Sequence, residues 1–113
     1  MKSSSARETE YDLTLRLDGI GTIDTSIEDA LFEAGCDDAT IGATGGRVSL
    51  AFSRSASSLT DAILSAVRDV ERSGIPAHVV RVDVDDLQYA SDVDAINREL
   101  SLKHPRAHEA ARN

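Results

Sequence analysis

The amino-acid sequence predicts an α+β domain, because strand and helix patterns follow one another in the order β-α-β-β-α-β. Strict alternation of apolar and polar residues, typical of a half-buried strand, occurs at Tyr11, Leu13, Leu15 and Leu17 and again at Val48, Leu50 and Phe52. Apolar residues at helical spacing predict two helices, one before the second of these strands and one after it. The apolar face of a sheet must be covered, and the two helices are available to cover it.

The first strand and the first helix occupy residues 11–34. The strand runs from Tyr11 to Asp18 and is followed by a glycine-containing turn. Thr25, with Glu28 three residues later, predicts the N-cap of the helix as a capping box. Gly35 is placed to end the helix in the left-handed conformation.

A hairpin and a longer helix come next. Thr44-Gly45-Gly46 predicts the turn between the second and third strands, and the third strand is expected to end at Ser53. Residues 54–57 are then a short loop, and Ser58 with Asp61 predicts the N-cap of the second helix. This helix is expected to stop at Gly74.

The fourth strand completes a compact sheet. Val80, Val82 and Val84 alternate with polar residues, which predicts that these three valines face the core. Two βα units joined by a hairpin favour the ferredoxin-like arrangement, with strand order 4-1-3-2 and both helices on one face. The opposite, open face would then carry Asp12, Thr14, Arg16, Asp18, Ser49, Ala51, Val79, Arg81 and Asp83. Its candidate protein-contact residues are Thr14, Arg16, Ser49, Arg81 and Asp83.

The domain boundaries follow from where the patterns stop. Residues 1–10 have no periodicity and are expected to form a disordered leader, whereas residues 11–86 form the ferredoxin-like domain. Residues 87–113 are a C-terminal helix and tail. Ser91 with Asp94 predicts the N-cap of that helix, which is expected to run for about two or three turns before Pro105.

The charge of the chain is uneven. Residues 1–86 hold 16 Asp and Glu against 8 Lys and Arg, which accounts for the whole net charge of −8, while residues 87–113 hold four of each. Such a balance opposes a protein that coats phosphate backbones and favours either a solvated surface or contact with a basic partner. The chain shows no signal peptide and no apolar run of membrane-spanning length, so a cytoplasmic location is expected.

The sequence contains no constellation of residues that predicts a reaction. A single cysteine, Cys36, excludes an internal disulfide, and its place after a helix C-terminus disfavours a thiolate nucleophile. His78 is the only histidine in the predicted domain, so no catalytic triad can be assembled. We therefore predict a protein that is not an enzyme, with no catalytic residue, no cofactor and no metal ligand.

Three segments of the sequence resemble a known family: YDLTLRLDGIG, IEDALFEAGCDDATIG and SLTDAILSAVRDVERSGIPAHVVRVDVDDL. The chain resembles small bacterial antitoxin-like, helix-turn-helix DNA-binding proteins, whose N-terminal part has the βαββαβ layout and whose C-terminal part reads DNA. Residues 90–93, ASDV, match the start of the family's helix-turn-helix. Residues 94–99 lack the small residue and the turn glycine of that motif. The resemblance implies that any DNA contact would involve Ser91, Arg98, Lys103 and Arg106.

These observations lead to one hypothesis and two alternatives. The hypothesis is a non-enzymatic regulatory module related to antitoxin-like transcription regulators. It would contact a partner protein or a second copy through its sheet domain and bind DNA weakly through its C-terminal segment. One alternative is a ligand-sensing or enzymatic ferredoxin-like domain that uses the open face. The other is an acidic decoy that blocks a nucleic-acid-binding protein.

Overall fold

Residues 8–103 are described by the structure, a computed structural model of the chain, and they form a four-stranded antiparallel sheet with three α-helices. The predicted α+β class is therefore confirmed. The strands are β1 (Thr9–Asp18), β2 (Ala39–Thr44), β3 (Arg47–Ala56) and β4 (His78–Asp83). The helices are α1 (Thr25–Ala34), α2 (Leu59–Arg72) and α3 (Ala90–Lys103), with a 3-10 turn at Leu87–Tyr89 before α3.

The strands lie in the order β2-β3-β1-β4, so β1 and β3 are central and β2 and β4 form the two edges. The hairpin between β2 and β3 turns at Gly45 and Gly46, whose φ angles are 58° and 79°. Two successive residues in this left-handed region make a tight hairpin turn, which glycine adopts at little cost. The turn is where the sequence predicts it, and it sets the register that places Ile41 opposite Leu50.

One face of the sheet shares a single core with helices α1 and α2. Leu15 of β1 lies opposite Leu50 of β3, and neither side chain has any exposed area. Leu31 of α1 and Ile63 of α2 belong to the same buried cluster. Each aliphatic side chain buried in this way contributes about 1.5–3 kcal/mol to folding. The period-two pattern of the sequence therefore identifies the core correctly on both central strands.

The N-terminus of α1 differs from the prediction by one residue. The N-cap is Asp24, not Thr25, and its carboxylate accepts a hydrogen bond from the N–H of Ile27 at 2.9 Å. Both residue types are good caps. The carboxylate of Asp24 has the added advantage of a negative charge beside the positive end of the helix dipole.

Two other predicted helix ends are confirmed. Gly35 has a φ angle of 115°, and its N–H donates to the carbonyl groups of the last turn of α1. Ser58 caps α2, since its hydroxyl accepts from the N–H of Asp61 at 3.1 Å. Ser91, in contrast, is not a cap. It lies in the first turn of α3, which continues directly from the 3-10 turn.

Strands β1 and β3 are longer than the sequence predicts. Thr9 pairs with Ala56, so β1 begins two residues before Tyr11 and β3 continues three residues beyond Ser53. The predicted loop from Arg54 to Ser57 is therefore wrong for its first three residues. Ala56 is buried, and its contact with the core favours continuation of the strand.

Strand β4 contains an irregularity that changes which valines are buried. The register with β1 shifts between Arg16 and Leu17, which leaves Val80 without a partner in the ladder. Such a bulge lets two residues of one strand oppose one residue of its neighbour. Val79 and Val82 consequently both lie in the core, with 1% and 0% of their surface exposed. The prediction that Val79 points to the open face is wrong for this reason.

Helix α3 packs along the free edge of β4. Val93 and Leu100 of α3 are buried against the rest of the domain. Between them, Asn97 forms two hydrogen bonds with the backbone of Val82. The N–H of Val82 donates to the Asn97 side-chain oxygen at 2.8 Å, and the Asn97 side-chain amide donates to the Val82 carbonyl at 3.0 Å. The amide thus occupies the place that a neighbouring strand would take at this edge.

Candidate functional site

The five residues predicted for protein contact lie together on the face of the sheet opposite the core. Arg16 lies between Ser49 of β3 and Arg81 of β4 in one row across the sheet. Thr14 lies beside Asp83 in the next row. We keep the name open face for the side of the sheet that carries these five residues. The alternation of the strands puts them there, because each is one residue away from a buried neighbour.

The charges of the open face are arranged around one carboxylate. Asp83 lies 3.0 Å from the Nε atom of Arg81 and 3.4 Å from an Nη atom of Arg16. Arg16 and Arg81 are directly opposite on neighbouring strands, a position in which like charges destabilise the sheet. The shared carboxylate offsets that repulsion. All three side chains are between 39% and 51% exposed, so the ion pairs contribute little to stability.

An acidic groove of about 610 Å³ adjoins the open face at the start of β1 and the end of β4. Its lining has no Lys or Arg among the described residues and five carboxylates. Those carboxylates belong to Glu10, Asp12, Asp83, Asp85 and Asp86. The lining residues that carry hydroxyl groups are Thr9, Tyr11, Thr14, Thr40, Ser53 and Tyr89. A groove of this composition attracts cationic groups and repels phosphate.

Hydrogen bonds hold several of these groups in place. The hydroxyl of Ser53 donates to Asp12 at 2.7 Å. Asp86 accepts from the side-chain amide of Gln88 at 3.0 Å and from the Gln88 N–H at 3.1 Å, and these hydrogen bonds lower the pKa of Asp86. The ring of Tyr89 meets that of Tyr11 edge to face, with centroids 6.1 Å apart. Asp86 is therefore ionised at neutral pH, and the two rings give the groove a partly aromatic wall.

The chemistry available in this groove is attraction of cations. Carboxylates alone can bind an ammonium or guanidinium group through charge-assisted hydrogen bonds. Within residues 8–103 there is no cluster of three or more His, Cys, Asp or Glu residues that could hold a metal ion.

Sequence reasoning identified the open face but not the groove. Asp85 and Asp86 were visible as carboxylates after β4, and Asp12 as an outward residue of β1. Glu10 was assigned to the leader, because the strand pattern weakens before Tyr11. Only the antiparallel register, which brings the start of β1 beside the end of β4, shows that these carboxylates share one groove.

A second polar cluster, centred on Arg54, also went unpredicted. Its guanidinium group forms a two-pronged contact with Asp38, with both N···O distances at 2.8 Å, and donates to the carbonyl of Gly35 at 2.8 Å. These hydrogen bonds hold the pKa of Asp38 below its usual range. Arg54 thereby connects β3 to the end of α1 and the start of β2.

The same guanidinium group also reaches α2. One Nη atom lies 3.0 Å from Asp69 and 3.1 Å from the hydroxyl of Ser65, and the group stacks over the Phe52 ring with its carbon 4.9 Å from the centroid. Only 11% of the Arg54 side chain is exposed. With its donors used in this way, Arg54 fastens helices to sheet and offers little to a ligand.

Cys36 lies next to this cluster and is 2% exposed. Burial raises the pKa of its thiol to about 11, and the negative charge of Asp69 acts in the same direction. The thiol stays protonated at neutral pH, as its position after α1 predicts. Its side chain is part of the buried core.

The residues predicted for DNA contact that the structure describes all lie on α3, where Ser91 and Arg98, seven residues apart, share one side of the helix. Ser91, Arg98 and Lys103 are exposed on α3, and Lys103 lies 3.7 Å from Glu71 of α2. Arg106 lies outside the described residues. Asp92, Asp94 and Glu99 are exposed on the same helix, so α3 carries more negative than positive side chains. The buried side of α3 is used for docking on β4.

Comparisons of the whole chain with protein-family models, with curated proteins and with solved structures gave no match. In the described part of the chain no helix combines the length and the apolar character needed to cross a bilayer. The resemblance to antitoxin-like regulators stays a prediction.

Proposed function

We propose that the chain is a non-enzymatic regulatory module that binds a protein partner through the open face and the acidic groove beside it. The observation that carries this proposal is the groove itself, where residues 8–103 contribute five carboxylates and no Lys or Arg to the lining of about 610 Å³ of space. The partner would present Lys and Arg side chains on a convex surface. Charge complementarity of this kind speeds encounter and selects the partner.

The proposed architecture is ferredoxin-like. Its support is the order β2-β3-β1-β4, which read from the other edge is β4-β1-β3-β2, together with one buried core shared by α1, α2 and the sheet. In such an arrangement one face of the sheet is left for contacts. Function in ferredoxin-like domains depends on what that face carries and not on the fold itself.

The acidic groove also favours one of the alternatives, the decoy that blocks a nucleic-acid-binding protein. Proteins that bind phosphate backbones carry clustered Lys and Arg, and an acidic surface can occupy that cluster. Both roles use the same groove and both require a basic partner. They differ in one consequence, since only the decoy competes directly with nucleic acid for the partner.

The proposal is tested by neutralising the groove. In the variant Glu10→Gln, Asp12→Asn, Asp85→Asn three carboxylates lose their charge while their shapes are kept. We expect quantitative affinity capture from a cell extract to lose basic partners at least about tenfold, because three charge-assisted contacts are removed. Adding nucleic acid to the captured complex then distinguishes the two roles, because it should displace the chain from its partner only if the chain is a decoy.

A matched control changes the same total charge elsewhere. Asp18→Asn, Asp94→Asn, Glu99→Gln alters exposed carboxylates that do not line the groove. This variant should capture the same partners as the native chain. If both variants lose the partners equally, the contact is a general effect of net charge, and the proposed site is wrong.

A further inference from the structure

Of the two edge strands of the sheet, β4 is covered by other parts of the chain, whereas β2 is not covered within residues 8–103. β4 is covered by α3 and by the Asn97 amide. β2 lies at the opposite edge, and within residues 8–103 no element pairs with its outer side. Its sequence, ATIGAT, holds no proline and no charged residue, and its register with β3 contains no bulge. Prolines, charged residues and bulges are the features that protect an edge strand from further pairing, and β2 has none of them.

The backbone of β2 is aligned to accept another strand. The N–H of Ser53 donates to the carbonyl of Asp38 at 3.2 Å, and pairing then continues residue by residue along β3. Since hydrogen-bonded and non-hydrogen-bonded pairs alternate in an antiparallel ladder, Ile41 and Ala43 direct their N–H and C=O groups away from β3. Within residues 8–103 no strand pairs with these outward groups, so an extended peptide can form hydrogen bonds with them.

A groove lies beside this edge, between β2 and α1. It has a volume of about 360 Å³ and is lined by Glu28, Asp29, Phe32, Ala39 and Ile41. Phe32 is 57% exposed, which is unusual for a large apolar side chain on a helix that packs on a core. A strand added to β2 would place alternate side chains against Phe32 and Ile41. We call this surface the β2 groove.

The charges around the β2 groove decide which occupant fits. α1 exposes Glu28, Asp29 and Glu33 and contains no Lys or Arg. If two copies paired through their β2 strands, the two acidic helices would lie side by side on one face and repel each other. An extended segment with Lys or Arg beside its apolar residues has the complementary charge.

We infer that the β2 groove binds an extended basic and apolar segment of another protein by strand addition to β2. Main-chain hydrogen bonds to Ile41 and Ala43 supply the general affinity of such a complex, and the side-chain groove supplies selectivity. This inference goes beyond the proposed function, because it uses a surface on the other edge of the sheet. It can hold or fail independently of the acidic groove.

The test uses a short synthetic peptide in which every second residue is in turn Val or Lys and the residues between are Thr, so that its apolar and basic side chains share the face toward α1. The peptide is titrated into the full chain and followed by amide NMR shifts. Binding should shift the signals of residues 39–43 and of Phe32. A second peptide with the same sequence but with N-methyl groups on alternate amides keeps every charge and apolar group. We expect it to bind about tenfold more weakly, because it cannot complete the ladder.

Variants of the chain provide the matching controls. Ala43→Pro removes an outward N–H without removing a hydrogen bond to β3, since proline is tolerated on the free side of an edge strand, and it should weaken binding about tenfold. Ala43→Val keeps the N–H and should bind as the native chain does. Glu28→Gln with Asp29→Asn should reduce both the affinity and its salt dependence.

Three results would overturn the inference. The first is equal affinity for the two peptides. The second is unchanged binding by Ala43→Pro. The third is a dimer of the native chain, detected by sedimentation, that Ala43→Pro dissociates, because it would identify a second copy as the occupant. Neutralising Glu10, Asp12 and Asp85 in the acidic groove should leave peptide binding at β2 intact, which distinguishes the two sites.

Discussion

Arg54 is the residue on which the joining of sheet and helices most depends. Its single guanidinium group contacts the carbonyl of Gly35 and the carboxylates of Asp38 and Asp69, so it connects groups from both sides of the α1–β2 turn to α2. The planar fork of arginine can serve several acceptors at once, whereas the ammonium group of lysine is a point charge. The geometry of the group, and not only its charge, is therefore required.

We predict that Arg54→Lys lowers the free energy of unfolding by about 2–4 kcal/mol, because partly buried carboxylates lose their hydrogen-bond donors while the positive charge is kept. Urea unfolding followed by circular dichroism measures this change. Arg72→Lys is the control. Arg72 also pairs with Asp69, but its side chain is 64% exposed, and its replacement should change stability by no more than about 0.5 kcal/mol. Equal effects of the two substitutions would contradict the role given to Arg54.

At the scale of elements, α3 is best understood as a cover for β4. An edge strand exposes a row of unpaired backbone groups, and proteins often cover such an edge with a helix. A helix normally cannot complete a strand's ladder, because its own backbone groups are already paired. Here the side-chain amide of Asn97 offers one donor and one acceptor in the orientation that Val82 needs.

We predict that Asn97→Ala destabilises the domain by about 1–3 kcal/mol, because the N–H and C=O groups of Val82 lose their partners in a partly buried position. Hydrogen exchange measured by NMR should show that the Val82 amide loses protection more than the amides of β1 and β3 do. Arg98→Ala, an exposed neighbour on the same helix, should leave that protection unchanged. Undiminished protection of Val82 in Asn97→Ala would show that α3 does not cover the edge through this amide.

Local sequence patterns were sufficient to predict the helices and strands. The features that they did not predict depend on contacts between residues far apart in the sequence. The alternation around Leu15 and Leu50 and the glycines at positions 35, 45 and 46 act within a few residues, so the sequence was sufficient for them. The bulge at Val80 depends on pairing with a strand more than sixty residues earlier in the chain. The partners of Arg54 and Asn97, and the gathering of carboxylates in the acidic groove, likewise depend on distant segments that no local pattern relates.

At the scale of the whole molecule, charge governs which partners can bind. A net charge of −8 disfavours the approach of a phosphate backbone. The cations assigned to DNA contact, Arg98, Lys103 and Arg106, are few, and the two in the described part of α3 lie among acidic neighbours. The basic protein partners that we propose for the acidic groove and for the β2 groove have the charge complementary to this distribution.

We predict that the purified chain binds DNA only weakly and without sequence preference, with affinity that falls steeply as salt is added. Replacing Arg98, Lys103 and Arg106 with Gln should flatten the dependence of log K on log salt by roughly three units, one for each lost phosphate contact. Electrophoretic mobility assays over a series of salt concentrations measure this slope. Tight, sequence-specific binding by the monomer at physiological salt would contradict the prediction and favour a complete DNA reader.

The cover that α3 provides has a further consequence for how copies of the chain can associate. With α3 in place, β2 is the one edge of the sheet left uncovered within residues 8–103, so copies of the chain could join only β2 to β2, an arrangement that closes after two copies. A copy from which α3 has been removed by proteolysis would have two free edges, β2 and β4, that differ from each other. Pairing of β2 on one copy with β4 on the next repeats without closing, which is the geometry of a filament. By covering β4, α3 removes the second edge that such a filament would need.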